Sequence, residues 1–159
     1  MDADARQALA RLIRTVRIAM LGTLRNGAPN VSMVAYLCAP DFASFWLHLS
    51  RLAWHTQDMA LDARISLAIC ETDDGRADPQ TLARVTLRGA AAQIPAEGPE
   101  FERLKRAWLA RFPESAVTFE LADFSFWCIA PRDARFVAGL GRTFNLSAAD
   151  LAAAAAHRG

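Results

Sequence analysis

The chain has 159 residues, of which 53% are hydrophobic and 22% are charged, the length and composition of one globular domain with its own core. Its formal net charge is +1 and no apolar run approaches the roughly 18 residues of a membrane span, so neither a nucleic-acid nor a membrane partner is expected. The N-terminal segment lacks the apolar block of a secretion signal, and the three cysteines and three histidines show no metal-ligand spacing. We therefore expect a cytoplasmic protein without a metal site.

The predicted elements begin with a helix and continue as strands. Leu9, Leu12 and Ile13 fall at helical spacing. Residues 17–24 then form a strand-length apolar run, and the Asn26-Gly27 pair that follows is the strongest short signal for a β-hairpin. Further strands are predicted over 30–38, 44–49, 64–71 and 82–94, with a polar loop over 72–80.

The remaining segments complete the predicted order. Residues 50–61 predict a loop that enters a short helix, and residues 97–112 predict an amphipathic helix. Two last strands, 124–130 and 134–139, are predicted on either side of a turn at Pro131. A closing helix follows Ser147, its expected N-cap. This order favours an antiparallel barrel with helical decorations over alternating strand–helix–strand units.

The loop before the short helix carries the richest chemistry. Ser50, Arg51, His55 and Thr56 fall within seven residues at the mouth of that helix. Helix N-termini attract phosphate because unpaired N–H groups and the helix dipole point there, and a guanidinium matches phosphate oxygens. The pattern indicates either a phosphate site or a polar loop with a capping serine.

Two further features allow a ligand role. Arg84 and Arg88 are four residues apart, so they share one face of a strand with Thr86 between them, either to hold an anion or as a solvated surface. Gly139, Gly141 and Arg142 follow a strand but lack the full dinucleotide-binding fingerprint. Glycines there allow close approach of the backbone to a ligand or to a neighbouring chain.

Five segments, taken in order and spacing, resemble the pyridoxamine 5′-phosphate oxidase-related FMN-binding split-barrel family, and most closely its haem-utilisation branch. They are AMLGTLRNGAPNVSMVAYL, LHLSRLAWHTQDM, DARISLAI, ARVTLRGAA and ARFVAGLGRTF. The resemblance covers about residues 8–146 of a single expected domain over 1–159.

The resemblance implies a six-stranded antiparallel split β-barrel with peripheral helices, working as a homodimer with FMN at the subunit interface. In it, the strand after Pro29 lines the flavin ring, the loop at residues 50–56 holds the phosphate, and Arg84 faces the flavin from the other side. The implied cofactor-binding residues are Asn30, Val31, Ser32, Met33, Val34, Ser50, Arg51, Leu52, His55, Thr56, Arg84, Gly139, Gly141 and Arg142.

The expected function is an FMN-dependent oxidoreductase acting on an unidentified small molecule, with no catalytic side chain singled out. Pyridoxamine phosphate oxidases carry an Arg and a Lys where this chain has Ser32 and Leu37, and their substrate motif is replaced by an Ala-rich tail. Oxidation of pyridoxamine phosphate is therefore not expected. The alternatives are a haem-binding or haem-degrading protein on the same barrel, for which His157 is the histidine near the end, and a non-catalytic flavin-binding module.

Overall fold

The computed structural model describes residues 1–157. Its helices are α1 (Ala3–Thr15), α2 (Trp54–Leu61), α3 (Pro99–Arg111) and α4 (Ala148–Ala155). Its strands are β1 (Ile18–Arg25), β2 (Ala28–Ala35), β3 (Leu37–Cys38), β4 (Phe45–Ser50), β5 (Arg64–Cys70), β6 (Arg84–Gln93), β7 (Phe124–Val137) and β8 (Thr143–Ser147). No helix of this described part is long and apolar enough to cross a membrane.

The strands form one antiparallel sheet in the order β2-β1-β5-β6-β7-β4-β3, with β8 paired to β7. Six strands of six or more residues make the curled barrel, and β3 and β8 are short additions. Within residues 1–157, the ladders do not join β2 to β4, so the barrel stays split between them. The predicted antiparallel split barrel with peripheral helices is confirmed.

The first hairpin turns at the predicted dipeptide. Asn26 and Gly27 both have positive φ, at 52° and 80°, as a two-residue type I′ turn requires. The turn sets a register in which Thr23 lies opposite Asn30 and Leu21 opposite Ser32. Because side chains alternate along a strand, Asn30, Ser32 and Val34 of β2 share one face, while Val31 and Met33 lie on the other.

The predicted break at Pro131 is wrong, because β7 continues through it as one strand of 14 residues. Pro131 lies opposite Gly89, and the register of β6 against β7 shifts between Arg88 and Gly89. A Cβ on Gly89 would lie 2.2 Å from the carbonyl oxygen of Ala130, so only glycine permits this close approach. Proline, which donates no ladder hydrogen bond, is tolerated at such an irregularity.

The end of the chain contains one predicted and one unpredicted element. Ser147 caps α4 as expected, in a capping box where its hydroxyl accepts from the Asp150 N–H at 3.2 Å and the Asp150 carboxylate accepts from the Ser147 N–H at 2.9 Å. The preceding β8 was not predicted, although Thr143 to Ser147 alternate polar and apolar residues, because a run of five residues is a weak signal for a strand. It exists as a strand through its pairing with β7, from Asp133↔Ser147 to Val137↔Thr143.

Candidate functional site

The mouth of α2 lies directly after the end of β4. Its N-cap is Ala53, whose side chain has no acceptor for the first-turn N–H groups. The Thr56 N–H turns back to the Ala53 carbonyl at 3.2 Å. The N–H groups of Trp54 and His55 at the start of the helix therefore remain available, and the positive end of the helix dipole points the same way. This arrangement suits an anion.

The loop in front of α2 is tied to the start of β7. The Ser50 hydroxyl donates to the Asp123 carboxylate and accepts from the Leu52 N–H at 3.1 Å. The Arg51 N–H donates to the Asp123 carbonyl at 2.8 Å. Ser50 has one hydroxyl proton, and it is used in the hydrogen bond to Asp123. In this structure the Ser50 hydroxyl therefore shapes the loop, and its predicted role at a phosphate stays a prediction.

Two predicted side chains, one in this loop and one in the first turn of α2, have no partner among the described residues. The Arg51 guanidinium is exposed and makes no hydrogen bond or ion pair within residues 1–157. The Thr56 hydroxyl is buried and also has no hydrogen-bond partner there. A buried hydroxyl without a partner costs about 1–3 kcal/mol. Both observations fit a site whose hydrogen bonds are completed by a ligand.

A groove of about 500 Å³ opens beside this loop, at the split between β2 and β4. It brings together the predicted Met33, Val34 and His55, and its other lining residues are Arg17, Ile18, Ala35, Leu49 and Phe112. His55 is half-buried, and desolvation lowers its pKa against the opposing effect of Asp58. The imidazole is therefore neutral at neutral pH and faces a mostly apolar groove.

A buried carboxylate that the sequence did not single out holds α2 against the first hairpin. Asp58 is 3% exposed and accepts from Arg25 at 2.9 Å, Thr23 at 2.8 Å and Asn30 at 3.1 Å. The Arg25 guanidinium also lies 4.2 Å from the centre of the Trp54 ring. The Asn30 amide is therefore committed to Asp58. The sequence signal that could have found Asp58 is its place beside the apolar Met59 in a predicted helix. Both side chains are buried in the structure.

The remaining predicted residues lie elsewhere on the sheet. Arg84 of β6 donates to the carbonyls of Gln80 at 3.0 Å and Leu82 at 3.1 Å. Gly139 and Gly141 form the turn between β7 and β8 with positive φ of 122° and 75°, and Arg142 binds both carboxylate oxygens of Asp2 at 2.8 and 2.9 Å.

The predicted site residues thus form two groups. β6 is three strands away from β2 in the sheet, about 14 Å at the usual strand spacing. One chain therefore does not bring Arg84 to the α2 mouth. Leu52, Val31 and Met33 are exposed, at 71%, 66% and 59%, whereas Val34 is buried at 3%.

The sequence profile of the family described as pyridoxamine 5′-phosphate oxidase matches residues 5–138. The non-canonical haem oxygenase HOZ of Arabidopsis thaliana, a chloroplastic protein, is 33% identical over 119 residues, which are 75% of this chain and 35% of that protein. The chain thus spans about a third of the length of this relative.

Solved structures show the same relationship. A haem-binding protein from Mycobacterium smegmatis matches with a TM-score of 0.83 and 28% identity, over 96% of this chain and 62% of that one. The haem storage protein HutZ of Vibrio cholerae shares the fold at 16% identity, with a TM-score of 0.71 over 87% of this chain and 92% of that one. The haem-utilisation proteins HutZ and ChuZ are thus among the structural neighbours of this chain, as the resemblance predicted. The chain belongs to the pyridoxamine 5′-phosphate oxidase family.

Proposed function

We propose that the protein binds FMN at the α2 mouth and the adjoining groove, and that it is an FMN-dependent oxidoreductase. The observation that carries this proposal is the set of unused donors at the α2 mouth, namely the Arg51 guanidinium and the N–H groups of Trp54 and His55. Bound FMN supplies the redox chemistry, and the protein supplies binding, orientation and local charge.

Each part of the site has a distinct task in this proposal. Arg51 and the first-turn N–H groups hold the phosphate, because a guanidinium and a helix N-terminus both favour an anion. Met33 and Val34 on the β2 side of the groove line the flavin ring, and the neutral His55 adds no charge beside it. Ser50, through Asp123, keeps the loop in shape.

We further propose that the site is completed by a second copy of the chain. One row of side chains crosses the outer face of the sheet, in the order Met33, Met20, Ala68, Thr86, Arg135 and Asn145. Its β1–β2 end is apolar and exposed, with Met20 at 45% and Met33 at 59%. Pairing the apolar ends of two such faces about a two-fold axis covers Met20 and Met33 and brings Arg84 of the second copy towards the flavin. Positive charge there suits the pyrimidine edge of the flavin.

Arg51→Ala is expected to weaken FMN binding by about tenfold to a hundredfold, because a hydrogen bond to a charged group contributes roughly 1.5–3 kcal/mol. The affinity for riboflavin, which has no phosphate, should hardly change. Titration of the apoprotein and the variant with both flavins, followed by flavin fluorescence, measures the two affinities.

Arg11→Ala is a suitable control for this titration, since Arg11 is an exposed arginine of α1 away from the α2 mouth. It should leave both affinities unchanged. Equal losses of FMN and riboflavin affinity in the Arg51 variant would show that Arg51 supports the fold and does not bind the phosphate. Failure of the wild-type protein to bind FMN at all would overturn the proposed cofactor.

Haem is the second candidate ligand, and the position of His55 favours it. A neutral imidazole in an apolar groove is the kind of ligand that haem iron takes, and Arg17 on the same groove offers a cation for a haem carboxylate. Two of the relatives are named for haem: the oxygenase of Arabidopsis thaliana and the haem-binding protein of Mycobacterium smegmatis.

If haem is the ligand, haemin added to the protein is expected to give a sharpened, shifted Soret band, and His55→Ala should lower the affinity by at least about tenfold. His157→Ala is the matched control, because it removes the histidine that lies near the end of the chain. A loss of haemin binding in the His157 variant, with none in the His55 variant, would refute the role given to His55.

A further inference from the structure

A second groove, of about 550 Å³, lies on the outer face of the sheet over β6, β7 and β8. We call it the arginine groove, and its lining residues are Arg84, Thr86, Arg88, Asp133, Ala134, Arg135, Val137, Asn145 and Leu146. Pairing of Thr86 with Arg135 places the Arg135 side chain diagonally between Arg84 and Arg88. Three guanidinium groups from two neighbouring strands therefore share one concave surface.

Asp133, the single carboxylate among the described lining residues, already accepts hydrogen bonds from two arginines. Asp133 accepts from Arg88 at 2.7 Å and from Arg132, outside the groove, at 3.1 Å. These two guanidinium groups lower the pKa of Asp133, so it remains ionised and bound to them. Asp133 is thus paired with these two arginines and forms no ion pair with Arg84 or Arg135.

Arg84 and Arg135 are instead held by uncharged acceptors. Arg84 donates through one terminal nitrogen to the carbonyls of Gln80 and Leu82, and Arg135 donates through one terminal nitrogen to the Asn145 side-chain oxygen at 2.7 Å. Carbonyl and amide oxygens orient a guanidinium without neutralising it. Each group keeps Nε and its second terminal nitrogen free within the described residues, which is the pair that binds a carboxylate through two parallel hydrogen bonds.

We propose that the arginine groove binds a small organic molecule through a carboxylate held by Arg135, beside the Arg84 that the proposed function gives to the flavin. An organic anion is favoured because Ala134, Val137 and Leu146 complete the lining with apolar atoms. The binding site stands on this groove alone, whereas its use as the substrate site of an oxidoreductase rests on the proposed flavin function. In that case the substrate belongs to the class of carboxylates with an apolar body.

Benzoate is the probe, and benzamide, which has the same shape without the charge, is its neutral control. Isothermal titration of the 159-residue chain at low ionic strength is expected to show benzoate binding that added salt weakens. Arg135→Gln should weaken it by about tenfold or more, because a charge-assisted pair of hydrogen bonds is lost. Arg64→Gln removes the same charge from β5 outside the groove and should leave the affinity unchanged.

Equal affinities for benzoate and benzamide, or equal losses in the Arg135 and Arg64 variants, would overturn the proposal. Inorganic phosphate that displaces benzoate at the same concentration would overturn the assignment to carboxylates. Both substitutions are on the surface, so thermal unfolding of each variant should match the wild type and shows that the fold is intact. Benzoate binding that depends on Arg135 in a protein that binds no FMN would support the groove and reject the flavin function.

Discussion

Asp58→Ala is expected to lower the free energy of unfolding by about 2–4 kcal/mol, because two donors lose their acceptor, at about 1–3 kcal/mol for each buried group, and the 32% exposed Arg25 loses its counter-ion. Asp58 is 3% exposed and accepts hydrogen bonds from three side chains. Without it, the Thr23 hydroxyl and the Asn30 amide lose their acceptor in the interior, and the Arg25 charge loses its counter-ion. Urea unfolding followed by circular dichroism measures the loss.

A second aspartate provides the control for this experiment. Asp62, just after α2, pairs with Arg64 at 2.6 Å on the surface, where the Arg64 side chain is 79% exposed. Such an exposed pair adds little to stability, so Asp62→Ala should shift the midpoint far less. Similar midpoints for the two variants would contradict the view that Asp58 holds α2 against the first hairpin. Because α2 carries His55, the Asp58 variant should also lose ligand affinity at the α2 mouth.

Acidification is expected to destabilise the protein through His48. His48 is 8% exposed, and its ring centre lies 4.1 Å from that of Phe119, on which it stacks, and 4.7 Å from that of Phe126. Burial lowers the pKa of His48 to about 4. Thr118 donates its own proton to the Ser115 carbonyl, so the His48 Nδ1–H must donate to the Thr118 oxygen, which lies at 3.2 Å. The folded protein thus holds a neutral imidazole among aromatic rings.

The direction of the pH effect on stability follows from the pKa of His48 in the unfolded and the folded states. In the unfolded chain His48 has its ordinary pKa of about 6.5, so the unfolded state binds the proton first as pH falls. The contribution of neutral His48 to the free energy of unfolding is therefore fully present above about pH 6.5. It falls until about pH 4, where His48 is protonated in the folded state too. Over this window the loss is about 3 kcal/mol.

His48→Phe is the variant that isolates this effect. Phenylalanine keeps an aromatic ring in the stack and removes the titrating group, so its free energy of unfolding should change less between pH 7 and pH 5 than that of the wild type. His55, whose pKa is also lowered by burial, contributes in both proteins and cancels in the comparison. Identical pH dependence in the two proteins would exclude His48 as the source.

The sequence by itself determined the features that depend on a few consecutive residues. The Asn26-Gly27 turn, the helical spacing of α1 and the capping box at Ser147 follow from backbone preferences and hydrogen bonds that act within one turn. Alternation along a strand likewise placed Arg84, Thr86 and Arg88 on one face, as the structure has them. The local sequence also placed residues 50–56 at the start of a short helix.

The tertiary structure decided which donors of the candidate site residues remain without a partner. Ser50 is committed to Asp123, 73 residues away in the chain, and Asn30 to Asp58, 28 residues away. Such partners meet only when β4 pairs with β7 and α2 packs on the first hairpin, so no local pattern reports them. Pairing also made β7 continuous, because Gly89 on another strand admits the Ala130 carbonyl, and it brought Arg135 between Arg84 and Arg88. Local sequence therefore predicted the segment that forms the candidate site, and long-range contacts decided which of its side chains have no partner within the described residues.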